Sequence, residues 1–185
     1  CALDGEELAS GARHYDNVAP ALRGGLSLSS PNGEVLRIPA PDWTLVILHP
    51  QVQVKTAEAR AVLPTHIPLS TVSKAIGWMG TFINACHARD ARAAAFALHD
   101  LYVGPARSPL IPALQRCRAT AEQAGAISGG ISGSGPSTFW VCLDHQSAVT
   151  VQHALHQEMS ALQIPCETYI SRISERGAYA LLQSK

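Results

Sequence analysis

The eight residues WTLVILHP, 43 to 50, constrain the fold most. They form a near-continuous apolar run of strand length. A membrane-crossing helix needs roughly 20 apolar residues, and no run in the chain approaches that. An apolar run this short reads as a buried strand. Four later segments also have strand character: AISGGI (126–131) with STFWVCL (137–143), then CETYISRI (166–173), and finally GAYALL (177–182).

Between these runs the pattern is helical. TAEARAVL (56–63) reads as a short helix with Thr56 as N-cap, Glu58 in the first turn and Pro64 as the stop. From 69 to 87, Val72, Ile76, Met79, Ile83 and Cys86 recur at steps of four and three, which predicts a helix with one buried stripe. Asp90 is placed to cap an alanine-rich helix running to about Tyr102, and VGPARSP reads as a loop. Leu110, Leu114, Cys117 and Ala121 mark another amphipathic helix, with Gly125 as its stop. Residues 146 to 162 are helical. Strand, several helices, two strands, helix and further strand together predict an α+β class: an antiparallel-sheet plait covered on one side by helices.

Upstream, residues 2 to 13 are helix-compatible, and HYDNVAPALRGGL (14–26) carries Pro20 and the Gly24–Gly25 pair as breakers. GGLSLSS and EVLRIP predict a strand pair around the turn SSPNG. The proline-rich PAPD (39–42) is the expected domain boundary, dividing 1–40 from 41–185. The chain opens on Cys1, not Met, inside a helical pattern, so the expectation is a piece of a longer protein.

Charge excludes some function classes. Fourteen basic and fourteen acidic residues cancel, giving no general attraction for nucleic acid or a membrane surface. Five cysteines, odd in number, widely spaced and without a C-x-x-C, read as reduced thiols filling a core. His153 and His156 are three apart, but no H-E-x-x-H accompanies them, and no histidine metal site is expected.

The chemistry-bearing candidates start with SGGISGSGPS (128–137). Consecutive Gly and Ser residues can expose backbone N–H groups as an anion nest. A Walker loop is excluded because there is no lysine, and a dinucleotide fingerprint because Pro136 and a β-prone run follow. A plain hairpin turn and a functional loop both remain. HYDN reads either as a ligand-contacting cluster or as a helix end satisfying orphan backbone groups. Arg60 and Arg107 are either solvated surface residues or two guanidinium forks meeting one carboxylate.

HYDNVAPALRGGL, HPQVQVKTAEARAVLP, VGPARSPLIP and GISGSGPSTFWVC, in this order, resemble the bacterial homoserine kinases of the GHMP small-molecule kinase superfamily. The resemblance extends from about residue 4 to 182. It implies a ferredoxin-like GHMP C-terminal domain preceded by the tail of the ATP-binding domain. It also implies transfer of the γ-phosphate of Mg-ATP to the hydroxyl of L-homoserine, in the cytoplasm, on the route to threonine.

Residue by residue, the resemblance implies the following roles. His14 and Asn17 contact substrate. Thr56 lies near the reacting hydroxyl, with Thr56 and His14 the polar groups nearest the chemistry. Arg60 and Arg107 hold the substrate carboxylate. Glu6 ligates Mg2+. Gly133, Ser134 and Gly135 support the phosphate loop of the other domain. That phosphate loop, P-x-x-x-G-L-G-S-S, is absent from these residues, as is the segment supplying a substrate-binding aspartate. The expected partners are therefore L-homoserine, the missing N-terminal domain and a second copy in a homodimer, and the fragment alone is expected to be inactive. Two rival readings are a non-catalytic amino-acid sensor and another GHMP kinase acting on mevalonate or a sugar.

Overall fold

The structure is a computed structural model describing residues 2–10 and 15–179. The chain divides into two units, Pro41–Arg172 and Cys1–Ala40 with Ile173–Lys185.

The larger unit is built on a four-stranded antiparallel sheet of order β4-β5-β3-β6, from β3 (Thr44–Pro50), β4 (Ser128–Ile131), β5 (Thr138–Cys142) and β6 (Cys166–Arg172). The apolar run 43–50 supplies β3, a central strand. It is not buried on both faces but alternates: Thr44, Val46, Leu48 and Pro50 are buried, while Leu45, Ile47 and His49 are half-buried. Period-two side-chain placement explains this. Val46 pairs with Trp140 and Leu48 with Thr138, so these side chains share one face.

That face carries the core. Val46, Leu48, Trp140 and Cys142 cluster with Leu114, Cys117 and Ala121 of α7 (Leu114–Gln123). Ala148, Val151, Leu155 and Met159 of α8 (His145–Ala161) complete the cluster. Burying each larger aliphatic side chain here contributes roughly 1.5–3 kcal/mol. The periodicity at Leu114, Cys117 and Ala121 is therefore borne out, while Leu110 falls before the helix in the 3-10 turn Ser108–Leu110, and Gly125 stops the helix in the left-handed region at φ 111°.

Other local expectations need correction. The helix α4 (Leu69–His87) forms, but Ile76 is 68% and Met79 49% exposed. Its buried residues are Phe82, Ala85 and Cys86: Cys86 of the expected stripe is buried, but the face is rotated toward Phe82 and Ala85. Counting apolar residues misses that alanine can fill a close helix contact and leave longer side chains outside. Asp90 does cap a helix, accepting from the Ala93 N–H at 2.9 Å, but α5 (Ala91–Phe96) ends well before Tyr102. VGPAR is not loop but α6 (Val103–Arg107), continued by a 3-10 turn, Ser108–Leu110. Asp100 accepts from the N–H groups of Tyr102, Val103 and Gly104, which supplies the start signal.

The smaller unit holds α1 (Ala2–Ser10), α2 (Tyr15–Arg23) and the ribbon of β1 (Leu26–Ser29) with β2 (Val35–Ile38). The predicted strand pair forms. Pro20, expected to break the chain, lies inside α2. The break falls at Gly24, whose φ is 69° and whose N–H donates to the Pro20 carbonyl at 2.8 Å. GAYALL forms no strand over 177–179, and its remainder lies outside the described residues. Ala178 donates instead to the Ala21 carbonyl at 2.8 Å.

Candidate active site

The sequence-predicted residues fall in both units. In the smaller unit, Glu6 is half-buried on α1 and already has an interaction of its own. Asn17 is exposed in the first turn of α2, which begins at Tyr15. His14 lies outside the described residues.

The larger unit gathers the rest. The helix α3 (Thr56–Ala61) starts one residue earlier than the cap assignment: Lys55 is the N-cap and Thr56 the first helical residue. Thr56 and Arg60 are four apart, hence neighbours on the helix surface, and both are exposed. Arg60 is engaged in an interaction. Between them Ala59 is fully buried and seats the helix.

Arg107, the last residue of α6, links two of the predicted elements. Its Nε donates to the Ala59 carbonyl at 3.1 Å and its Nη1 to the Gly133 carbonyl at 2.8 Å. Arg60 and the anchor point of Arg107 are thus consecutive residues of α3. The planar fork of a guanidinium suits this two-directional bridge, and it has donors to spare beyond these two bonds.

The glycine stretch is a hairpin loop between β4 and β5, which are antiparallel. Its base is closed by the Ser132 N–H donating to the Ser137 carbonyl at 2.8 Å, and a tight turn forms as the Gly135 N–H donates to the Ser132 carbonyl at 3.0 Å. Gly133 and Gly135 have φ of 58° and 82°, conformations where glycine avoids the strain an L side chain would meet. The Gly135–Pro136 bond is cis. Ser134 is half-buried, and its Oγ approaches the Gly135 carbonyl at 3.5 Å.

One polar residue escaped the sequence reading. His49 Nδ1 lies 2.8 Å from Ser137 Oγ. The available signal was its place as the polar residue near the end of an apolar strand, in phase with Leu45 and Ile47.

Among the described residues, no group of three or more His, Cys, Asp or Glu could hold a metal ion. No helix among them is long and apolar enough to cross a membrane. Cys86, Cys117 and Cys142 are buried and free, and Cys166 is free and half-buried. Burial pushes the Cys117 and Cys142 thiols up to about 11.

Residues 77–161 match the family described as GHMP kinases C terminal. The chain is 35% identical over 182 residues to a homoserine kinase of Chlorobium phaeobacteroides, covering 96% of this chain and 57% of that protein. A crystal structure of homoserine kinase from Cytophaga hutchinsonii superposes with a TM-score of 0.90 at 35% identity, over 95% of this chain and 56% of that one. A structure from Listeria monocytogenes, provisionally named a homoserine kinase, superposes with a TM-score of 0.65 at 22% identity, over 96% of this chain and 58% of that one, which shows the fold alone. The chain spans a little over half the length of these relatives.

Proposed function

We propose that this chain, whose residues 77–161 match the family described as GHMP kinases C terminal, is the C-terminal part of a homoserine kinase. The enzyme would transfer the γ-phosphate of ATP to the side-chain hydroxyl of L-homoserine, the step that leads toward threonine. The observation that carries this reading is the Arg107 bridge, which ties α3, bearing Thr56 and Arg60, to the glycine loop.

In this reading Arg60 and the remaining donors of Arg107 hold the substrate carboxylate. Bidentate guanidinium pairing fixes orientation as well as charge. Thr56, one helical turn before Arg60, is assigned to the substrate hydroxyl, and His14 and Asn17 are assigned to substrate binding. The hydroxyl oxygen forms a bond to the γ-phosphorus, the bond from that phosphorus to the β-phosphate oxygen breaks with its electron pair leaving on ADP, and the hydroxyl proton is released to solvent. Phosphoryl transfer depends mainly on positioning and charge stabilisation. The protein residues supply the positioning.

ATP brings the phosphoryl group, and the described residues provide no complete phosphate cradle for it. We assign Gly133, Ser134 and Gly135 to supporting the phosphate loop of an N-terminal portion. Magnesium is commonly held by one or two carboxylates together with substrate phosphates, and Glu6 is the one carboxylate assigned to it here.

The test joins this chain to the N-terminal portion of the Chlorobium phaeobacteroides homoserine kinase that lies outside the matched region. Homoserine-dependent ADP release is the expected result, with none from the chain alone. In the joined enzyme Arg60→Ala should raise the KM for homoserine by about tenfold or more. Phosphorylation of mevalonate or a sugar in place of homoserine would overturn the substrate assignment. Tight calorimetric binding of homoserine by the chain alone, without turnover in the joined form, would favour a sensor.

A further inference from the structure

The contact between His49 and Ser137 has no part in the roles assigned above. We infer that His49 is a positioning residue that holds the base of the glycine loop. The register between β3 and β5 ends with Leu48 opposite Thr138. His49 and Ser137 are the next residues along each strand, where β3 runs on toward α3 and β5 begins from the loop. A side-chain bond of 2.8 Å joins the two strands there. A side-chain contact thus joins the strands one position beyond the last backbone pair, at the point where the chains diverge.

Ser137 is held twice. Its carbonyl accepts from the Ser132 N–H, closing the loop, and its hydroxyl meets His49. The far side of the loop is held by Arg107 through the Gly133 carbonyl, and Arg107 is itself anchored on Ala59. The segment from His49 to Arg60 therefore restrains the loop at two points, directly at its base and through Arg107 near its tip. One tether would leave a hinge. Gly133 and Gly135 can change φ at little steric cost, so the loop needs outside anchors to keep one shape. Two anchors fix the distance between the loop and the helix bearing Thr56 and Arg60. Transfer geometry is sensitive to displacements of about 1 Å.

The kinetic consequence rests on the kinase reading, but the tether can be measured without it. Amide hydrogen exchange at Ser132 and Gly135, whose N–H groups close the loop, is followed in the 185-residue chain for His49→Leu, Ser137→Ala, their double variant and His49→Asn. The asparagine amide can reach the place of Nδ1. Exchange about tenfold faster is expected in either single disruption, no faster in the double, and near wild type in His49→Asn. Unchanged exchange in His49→Leu would overturn the inference, as would additive effects in the double variant or failure of His49→Asn to restore protection. In the joined enzyme, His49→Leu should lower kcat about tenfold with the KM for homoserine within about twofold. An unchanged kcat alongside a loosened loop would remove the loop position from the reaction. An inactive wild-type enzyme would instead overturn the kinase reading, and hydrogen exchange would still decide the tether.

Discussion

Arg107 donates to Gly133 across 2.8 Å while its Nε holds the Ala59 carbonyl at 3.1 Å. Lysine offers one compact ammonium and cannot reproduce a fork that donates in two directions. Arg107→Lys should therefore behave almost like Arg107→Ala. Each should lose about 1 kcal/mol in urea unfolding, since Arg107 is only half-buried and part of each bond is regained by water. A lysine variant as stable as wild type would show that the bridge does not hold the loop.

The glycines of the same hairpin should differ in cost. A Cβ on Gly129 would meet the Phe139 carbonyl oxygen at 2.6 Å and Trp140 Cζ3 at 2.8 Å, and Trp140 is fully buried. The wide indole cannot move without opening the core. Gly129→Ala should cost roughly 3 kcal/mol. Gly133 has nothing within 4 Å of such a Cβ, and only its φ of 58° opposes a side chain. Gly133→Ala should cost about 1 kcal/mol. Thermal unfolding of the two variants measures the difference, and equal losses would contradict the packing argument.

The rotated face of α4 shows what was legible in the sequence and what was not. The helix itself was plain from periodicity, because apolar residues at steps of three and four have few other uses. Its orientation was not, because Ile76 and Met79 outrank Ala85 in hydrophobicity while Ala85 is the one buried. The same limit applies to Arg107. The sequence marks it as a candidate fork, but the two carbonyls it reaches are brought close only by the fold, as is the meeting of His49 with Ser137. The type of a strongly periodic element is written locally, whereas orientation and side-chain partnership depend on distant residues. The prediction is direct: Ile76→Ser should change stability by no more than about 0.5 kcal/mol, while Phe82→Ala should cost about 3 kcal/mol. Chemical denaturation of the two variants measures this.

The start of α8 should carry a pH signature. Asp144 accepts from the Ser147 N–H at 2.7 Å and from its hydroxyl at 2.7 Å. The Ser147 backbone bond, followed by the hydroxyl bond, holds its carboxyl below the usual carboxylate range. A group with a depressed folded pKa contributes stability above its unfolded value and loses it as pH falls through the folded value. Wild type should therefore lose part of its advantage over Asp144→Asn on acidification below the ordinary aspartate range, and keep it at neutral pH. Melting temperatures of the two proteins across acidic buffers measure this. A constant difference would mean that the carboxylate charge is not what caps α8.

Thiol chemistry reports on the core directly. Burial raises Cys117 and Cys142 to about 11, with the Glu158 and Asp144 carboxylates adding to the effect respectively. Cys86 is raised by burial alone. The thiolate is the nucleophile, so a raised pKa and a closed core both act against reaction. At pH 8 the three buried cysteines should resist iodoacetamide in the folded chain and react on unfolding in guanidinium. Cys166, half-buried on β6 and also raised by burial, should label at an intermediate rate. Peptide mapping after timed labelling separates the sites. Because Cys117 packs its Sγ 3.6 Å from Met159 Sδ between α7 and α8, its labelling rate should follow global unfolding. Rapid labelling of Cys117 without loss of helical signal would mean that the two helices separate while the sheet stays folded, against a single cooperative core.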